Sequence, residues 1–281
     1  MRTSAVTEPA PGHPNEDVHL ANDTVAVMLD GATIPKGATT SCHHTTQWFA
    51  RTLGEHIFAQ LTGTHEQDLR QVLADSITWF ATRHATTCDI HDAAHPSATV
   101  VILHETENGY DYLVLGDSNL VFYGPAGIKV VTDHRLQENI APLLRARLQH
   151  LTRGSVEHDA ARADLLAGER AGRNTEGGYW IAATDPTAAY QALVGHVEFG
   201  HADAALLLTD GASVLVDRFG MLDWNDLLDL ARNKGPRAVI DQVRTVESDP
   251  DIARLPRSKP HDDATLIYCE LQRRALSPNL A

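Results

Sequence analysis

The sequence is short of cysteine, of positive charge and of long apolar runs, and each shortage removes a class of protein. Its 281 residues include three cysteines, Cys42, Cys88 and Cys269. They are odd in number, far apart and form no CxxC pair, which argues against a disulfide framework and against a zinc–thiolate site. Each is read as a small buried hydrophobe. No stretch approaches the roughly 20 apolar residues of a membrane helix. The opening MRTSAVTEPAPGHPNED has no apolar core and does not read as a signal peptide. Cytoplasmic residence, with no membrane partner, is the expectation. Lysine and arginine number 23 against 37 aspartates and glutamates, a formal charge of −14. A nucleic-acid binder presents a basic face, so no nucleic-acid partner is expected. An acidic excess favours solubility. It can also supply ligands for divalent cations, and only position separates the two roles.

What is present is a globular composition on a chain long enough to bury a substantial core. Residues 1–14 are polar, contain three prolines and read as a flexible lead-in. Residues 15–271 read as one domain and 272–281 as a tail. Short strand patterns occur at Asp17–Leu20 and Val25–Leu29. Phe49, Leu53, Ile57 and Leu61 repeat every four residues and predict a helix over 40–61; Leu69, Leu73, Ile77 and Phe80 predict another over 67–86. Strands return at 98–104, 110–115, 120–123 and 128–131, with Asn108-Gly109 as a hairpin signal, and together read as an antiparallel meander. Helical patterns follow at 136–151 and 160–171, a short strand at 179–182, a strand at 204–208, helices near 223–233 and 236–247, a loop at 248–261 and a last strand at 264–271. Strands and helices come in blocks, which predicts an α+β fold rather than alternating βαβ units.

Five acidic spots share one placement. Asn15-Glu16-Asp17 opens the first of these strands and Asp30-Gly31 ends the second. Gly116-Asp117-Ser118 lies between two strands, Asp210-Gly211 follows an apolar strand, and Asp262-Asp263 precedes the last. A single Asp-Gly is ordinarily a turn. Five carboxylate groups at strand ends are different, because strand ends at one edge of a sheet converge. Carboxylates brought together there repel unless cations lie among them. Oxygen-only ligands favour magnesium or manganese over zinc. Glycine after Asp30 and Asp210 is expected to turn the backbone sharply and to let a carbonyl approach a metal.

The ordered series NED, DG, GDS, TDG and DDAT resembles the metal-dependent protein phosphatases of the 2C type, from about Asn15 to Leu271. Ser97-Ala98-Thr99 and Thr132-Asp133-His134 resemble two further elements of that family. The resemblance implies a four-layer α-β-β-α sandwich with two central antiparallel sheets and metals at one end. It implies two Mn2+ or Mg2+ ions, with a third, weaker one at Asp117. Asp30 would bridge two ions, with the Gly31 carbonyl on one of them. Glu16 would reach that ion and Asp17 would stand behind it. Asp210, with Asp262 or Asp263, would hold the other; Asp262 matches the family's ligand position and Asp263 its neighbour. Asp30, Asp210 and Asp262 are thus the catalytic candidates. A water between two cations would attack phosphorus without a protein nucleophile. Where the family carries a phosphate-binding arginine this chain has Gly12, with His13 the nearest substitute candidate. The family's Gly-Asp-Ser-Arg reads Gly116-Asp117-Ser118-Asn119 here. Three readings follow: a serine/threonine phosphoprotein phosphatase, a phosphatase of a small phosphorylated metabolite, and a catalytically silent phosphatase-like regulatory or binding protein. His43 and His44 also lie near the motifs and are read as structural or solvated. Residues 135–200, the least regular stretch, are the expected place for a substrate-facing flap.

Overall fold

The computed structural model describes residues 1–32, 40–63, 66–92, 94–140, 142, 146, 148, 150–152, 155–249 and 261–272. The strands are β1 (Arg2–Glu8), β2 (Val18–Ala21), β3 (Val25–Gly31), β4 (Ala98–Glu105), β5 (Gly109–Leu115), β6 (Asn119–Gly124), β7 (Gly127–Val131), β8 (Leu193–Glu198), β9 (Ala204–Leu208) and β10 (Ala264–Glu270). The α-helices among the described residues are α1 (Thr46–Leu61), α2 (Leu69–His84), α3 (Arg135–Asn139), α4 (Val156–Gly172), α5 (Asp210–Asp217), α6 (Trp224–Lys234) and α7 (Pro236–Glu247). A 3-10 helix covers Pro186–Gln191.

Two five-stranded antiparallel sheets result, ordered β2-β3-β4-β5-β8 and β1-β10-β9-β6-β7. The two-residue period of their strands places them in the stack. In β3, Val25, Val27 and Leu29 pack with Phe49, Leu53 and Ile57 of α1 and with Leu73 and Ile77 of α2. The alternate residues, Ala26 and Met28, face Leu207 of β9 and Ile267 of β10 across the space between the sheets. On the far side, Leu206, Leu208 and Leu266 pack under Leu227 of α6 and Val239 and Ile240 of α7. Both sheets are therefore apolar on both faces, which is why their strands read as continuous apolar runs. The expected four layers, helix–sheet–sheet–helix, are present.

Several expectations are corrected. Residues 1–14 are not simply a lead-in: β1 pairs along its length with β10, from Arg2↔Glu270 to Glu8↔Ala264. It is an edge strand with Val6 as its one buried side chain, so backbone pairing orders it and no apolar pattern announces it. Arg244 and Arg237 clasp the Glu8 carboxylate at its end. The meander over 98–131 is instead two hairpins in different sheets. β4 pairs with β5, β6 pairs with β7, and the chain crosses between sheets at Gly116-Asp117-Ser118. Gly116 has φ +88°, a left-handed backbone that glycine adopts without strain. Residues 179–182 form only isolated bridges, Arg173↔Tyr179 and Ala98↔Ala182. The exposed strand β8 and the helix α5 carry no expectation above. Most of the helix expected over 136–151, of the loop over 248–261 and of the tail over 272–281 lies outside the described residues.

Candidate metal centre

Strand register brings the acidic spots to one end of the sandwich. Asp30 of β3 pairs with Thr99 at the start of β4, and Val100 pairs with Leu115 at the end of β5. The crossover with Asp117 follows. Asn119, opening β6, pairs with Leu208 at the end of β9, just before Asp210; Leu208 also pairs with Leu266, just after Asp262-Asp263. Glu16-Asp17 precede β2 at the same end, where Val18 pairs with Leu29.

Electrostatics shows how close the carboxyls are. Burial pushes the Asp30 carboxyl well above the usual carboxylate range, and Asp17, Asp210, Asp262 and Asp117 push it further. Asp17 is also pushed well up by burial, with Asp263 and Asp262 adding to the effect and hydrogen bonds from Thr265 and Thr209 opposing it. Asp117 is pushed up to about 6 by burial and by Asp210, against the pull of Arg218 and Gln137. Asp117 Oδ2 accepts from Gln137 Nε2 at 2.9 Å, and Asp262 Oδ1 accepts from the Asp263 amide at 3.1 Å. Asp17 Oδ2 accepts from Thr209 Oγ1 at 3.1 Å, while its Oδ1 is buried with no hydrogen-bond partner. An orphaned buried carboxylate oxygen among mutually repelling carboxyls suits a hard cation. The donor set fits Mn2+ or Mg2+: Asp30, Asp210 and Asp262 would hold the ions, with Asp17 and Asp117 beside Asp30 in the same cluster.

The two Asp-Gly glycines serve a purpose other than turning. Gly31 is a strand residue: a Cβ there would come within 2.7 Å of the Glu16 carbonyl oxygen and 2.6 Å of Thr46 Cγ2. Gly211 lies in α5, which Asp210 opens, and a Cβ there would lie 2.0 Å from the Asp263 carbonyl oxygen. Both glycines permit close approach of the segments that carry the carboxylates.

Asp263 holds backbone. Its Oδ1 accepts from the Ala10 amide at 2.7 Å and its Oδ2 from the Glu16 amide at 2.6 Å. It fixes the acidic segment that precedes β2 and is the neighbour of Asp262 rather than its equal as a ligand candidate. Asp263→Ala leaves two amides unpaired. Urea denaturation of the metal-free protein should show a loss of about 3 kcal/mol, given charge-assisted bonds of about 1.5–3 kcal/mol each.

His13 is exposed, three residues beyond Ala10, and Gly12 beside it has φ +78°. Asn119 is buried and donates to Ser213 Oγ at 3.1 Å and Asp217 Oδ2 at 3.0 Å, so its amide is spent inside the fold. The sequence reading missed Arg218. Its Nη2 lies 2.7 Å from Asp210 Oδ2, and Asp210, then Asp262 and Asp117, raise its pKa further. No sequence signal singles it out, because its position depends on where α5 ends. Asp133 is buried, grips Arg135 and donates its amide to the Gly116 carbonyl at 3.3 Å, steadying the turn that carries Asp117. Thr99 and Ser118 share a hydrogen bond of 2.7 Å beneath that turn. A cleft of about 270 Å³ that includes Asp17 runs along β2 and α1, lined by His19, Gln47 and Arg51 among others.

A sandwich with converging carboxylates at one end is the architecture of a hydrolase that works through divalent cations. The comparisons agree. The family model for protein phosphatase 2C matches residues 10–246, and the chain belongs to that family of metal-dependent phosphatases. No curated protein matches. Among solved structures, the Mycobacterium tuberculosis serine/threonine phosphatase PstP/Ppp is 12% identical, with 96% of this chain and 98% of that one covered at a TM-score of 0.56. Stp1 from Staphylococcus aureus is also 12% identical, with 96% and 94% covered at 0.58. A PstP catalytic domain solved with two manganese ions is 13% identical, with 95% and 96% covered at 0.54.

Proposed function

We propose that the chain hydrolyses phosphomonoesters, with serine/threonine phosphoproteins as the first substrate class, at two divalent cations held by Asp30, Asp210 and Asp262. The observation that carries this reading is the meeting of Asp17, Asp30, Asp117, Asp210 and Asp262 from distant strand ends in mutual repulsion. When bound, the ions supply a water of lowered pKa and Lewis acidity toward the phosphoryl oxygens. The chain's residues supply the rest. Asp30 is ionised once cations offset its neighbours, Asp263 fixes Glu16, and the sheet ends keep the carboxylates in register. Asp117, held by Gln137 of α3, would contribute to a weaker third ion.

Arg218, paired with Asp210 and within electrostatic reach of Asp262 and Asp117, would stand in for the arginines absent at Gly12 and Asn119. With cations on Asp210, it is free to take phosphate oxygens in pairs. Arg218→Ala should raise KM for p-nitrophenyl phosphate at least about tenfold with a smaller change in kcat, as expected for loss of a charge-assisted contact. Steady-state kinetics at saturating manganese checks this; a fall in kcat alone would count against the assignment.

Within 135–200, Pro186–Gln191 packs on α2 and β8 pairs with β5, while other described residues pack beside Ala32. Ile140, Tyr179 and Ile181 pack together with Leu136 and with Ala32, which follows Gly31. This supports a substrate-facing role for these residues. The chamber's lack of the family's two arginines favours a second reading, a small phosphorylated metabolite. Phosphate release from phosphoserine and phosphothreonine peptides, measured beside sugar and nucleotide monophosphates, separates the two. Preference for peptides supports the first reading, and preference for metabolites replaces it with the second. Failure on every phosphoester with manganese present would remove both.

A further inference from the structure

We propose that Cys42, His44, His84 and Cys88 form a structural zinc site, separate from the carboxylate chamber. Their ligand atoms all lie within 4.8 Å of one another. Cys42 Sγ is 3.3 Å from His84 Nε2 and 3.9 Å from His44 Nδ1, and Cys88 Sγ is 3.6 Å from His44 Nδ1. Tetrahedral zinc, with Zn–S about 2.3 Å and Zn–N about 2.0–2.1 Å, sets sulfur–nitrogen edges of about 3.6 Å. The observed separations bracket that edge, so one ion fits with little movement of its ligands.

The donor set selects the metal. Two thiolates with two imidazoles suit zinc, whereas the all-oxygen chamber suits manganese or magnesium. Four protein ligands leave no open position, which makes the site structural rather than catalytic. The rings are held for the purpose. His44 stacks on Trp48 at 4.0 Å, and His84 lies against Phe80 and Trp48.

The sequence reading argued against such a site because it looked for paired cysteines. The ligands come instead as Cys-x-His ahead of α1 and His-x3-Cys at the end of α2, and only the packing of α1 on α2 brings them together. The loop is pinned independently: Asp92 Oδ2 accepts from the Ser41 amide at 2.6 Å and from Ser41 Oγ at 2.8 Å. Zinc there would fasten the end of α2 to the start of α1. Thr46, the first residue of α1, is the residue that crowds Gly31 beside Asp30. The clip thus lies two residues from a support of the metal chamber.

The test is metal content of the full chain, followed by cobalt substitution. The unsubstituted protein should retain about one zinc through dialysis, and Co2+ in its place should give tetrahedral d–d bands with a thiolate-to-cobalt charge-transfer band. Cys88→Ser and Cys42→Ser should lose the zinc, whereas Asp262→Asn and Cys269→Ser should keep it. Stripping the zinc should lower Tm by more than about 5 °C. Should the cysteine variants fail to fold, the cobalt spectrum of the unsubstituted chain decides. A spectrum without a thiolate band, or a Cys42–Cys88 disulfide found by mass spectrometry in the protein purified under reducing conditions, would overturn the proposal.

Discussion

Asp30→Asn should cost at least about 10³-fold in kcat while making the metal-free protein more stable. Both effects follow from one observation. The Asp30 carboxyl lies at a strand end where burial and the carboxylates of Asp17, Asp210, Asp262 and Asp117 all oppose its charge. In the folded state without cations, an amide of the same shape removes that repulsion. The gain in stability should be on the order of 1 kcal/mol. With cations available the sign reverses, because the unsubstituted protein gains ligand-linked stability that the variant cannot. Melting curves with chelator and with manganese, recorded beside p-nitrophenyl phosphate turnover, read all three quantities. A variant that retained turnover would refute the role of Asp30. One that lost turnover and was also destabilised with chelator would mean that Asp30 acts through packing.

The metal-free protein should also lose stability as pH rises above about 4, and manganese should abolish most of that loss. Asp17, Asp30 and Asp117 have folded-state pKa values above the ordinary 3.8, with Asp117 at about 6. An acid raised on folding binds more protons in the folded state than in the unfolded one, between its two pKa values. Its stabilising contribution is therefore complete below about pH 4 and lost as pH climbs through the folded value. For Asp117 that window is roughly pH 4 to 6. For Asp17 and Asp30, pushed further, it extends higher. Cations compete with those protons, so apparent manganese affinity should rise with pH, by up to about tenfold per unit for each proton displaced. Chemical denaturation across pH, with and without manganese, measures the two slopes. A metal-free slope of zero would contradict the cluster's electrostatics.

How much of this was legible in the sequence depends on which force fixes each part. Apolar periodicity fixed the bodies of α1 and α2, because Phe49, Leu53, Ile57 and Leu61 line one helix face and meet the sheet there; it did not fix the start of α1, which begins at Thr46 rather than at the expected 40. The doubly buried strands β3, β4 and β9 were readable as apolar runs for the same reason. The edge strands β1 and β8 were not, unlike β2 and β7. β1 buries one side chain and β8 none, and both are held by backbone pairing, which leaves no side-chain pattern. The sheet change at Gly116 was invisible because a hairpin and a crossover use the same turn residues. In the chamber, the carboxylates were legible from their placement at strand ends. That Asp263 holds the amides of Ala10 and Glu16 rests on backbone hydrogen bonds that composition does not encode. Arg218 and the cysteine–histidine cluster depend on tertiary packing alone. The close approach that Gly31 and Gly211 permit was not legible for a related reason: their missing side chains matter to segments distant in sequence.

The most direct test of the central claim, that the converging aspartates hold cations on which phosphatase activity depends, is hydrolysis of p-nitrophenyl phosphate by the full chain with manganese and then with excess chelator. The account predicts turnover that rises with manganese to saturation, vanishes with chelator and returns when manganese is restored. Turnover that survives complete chelation, or none while isothermal titration shows manganese bound at the cluster, would contradict it.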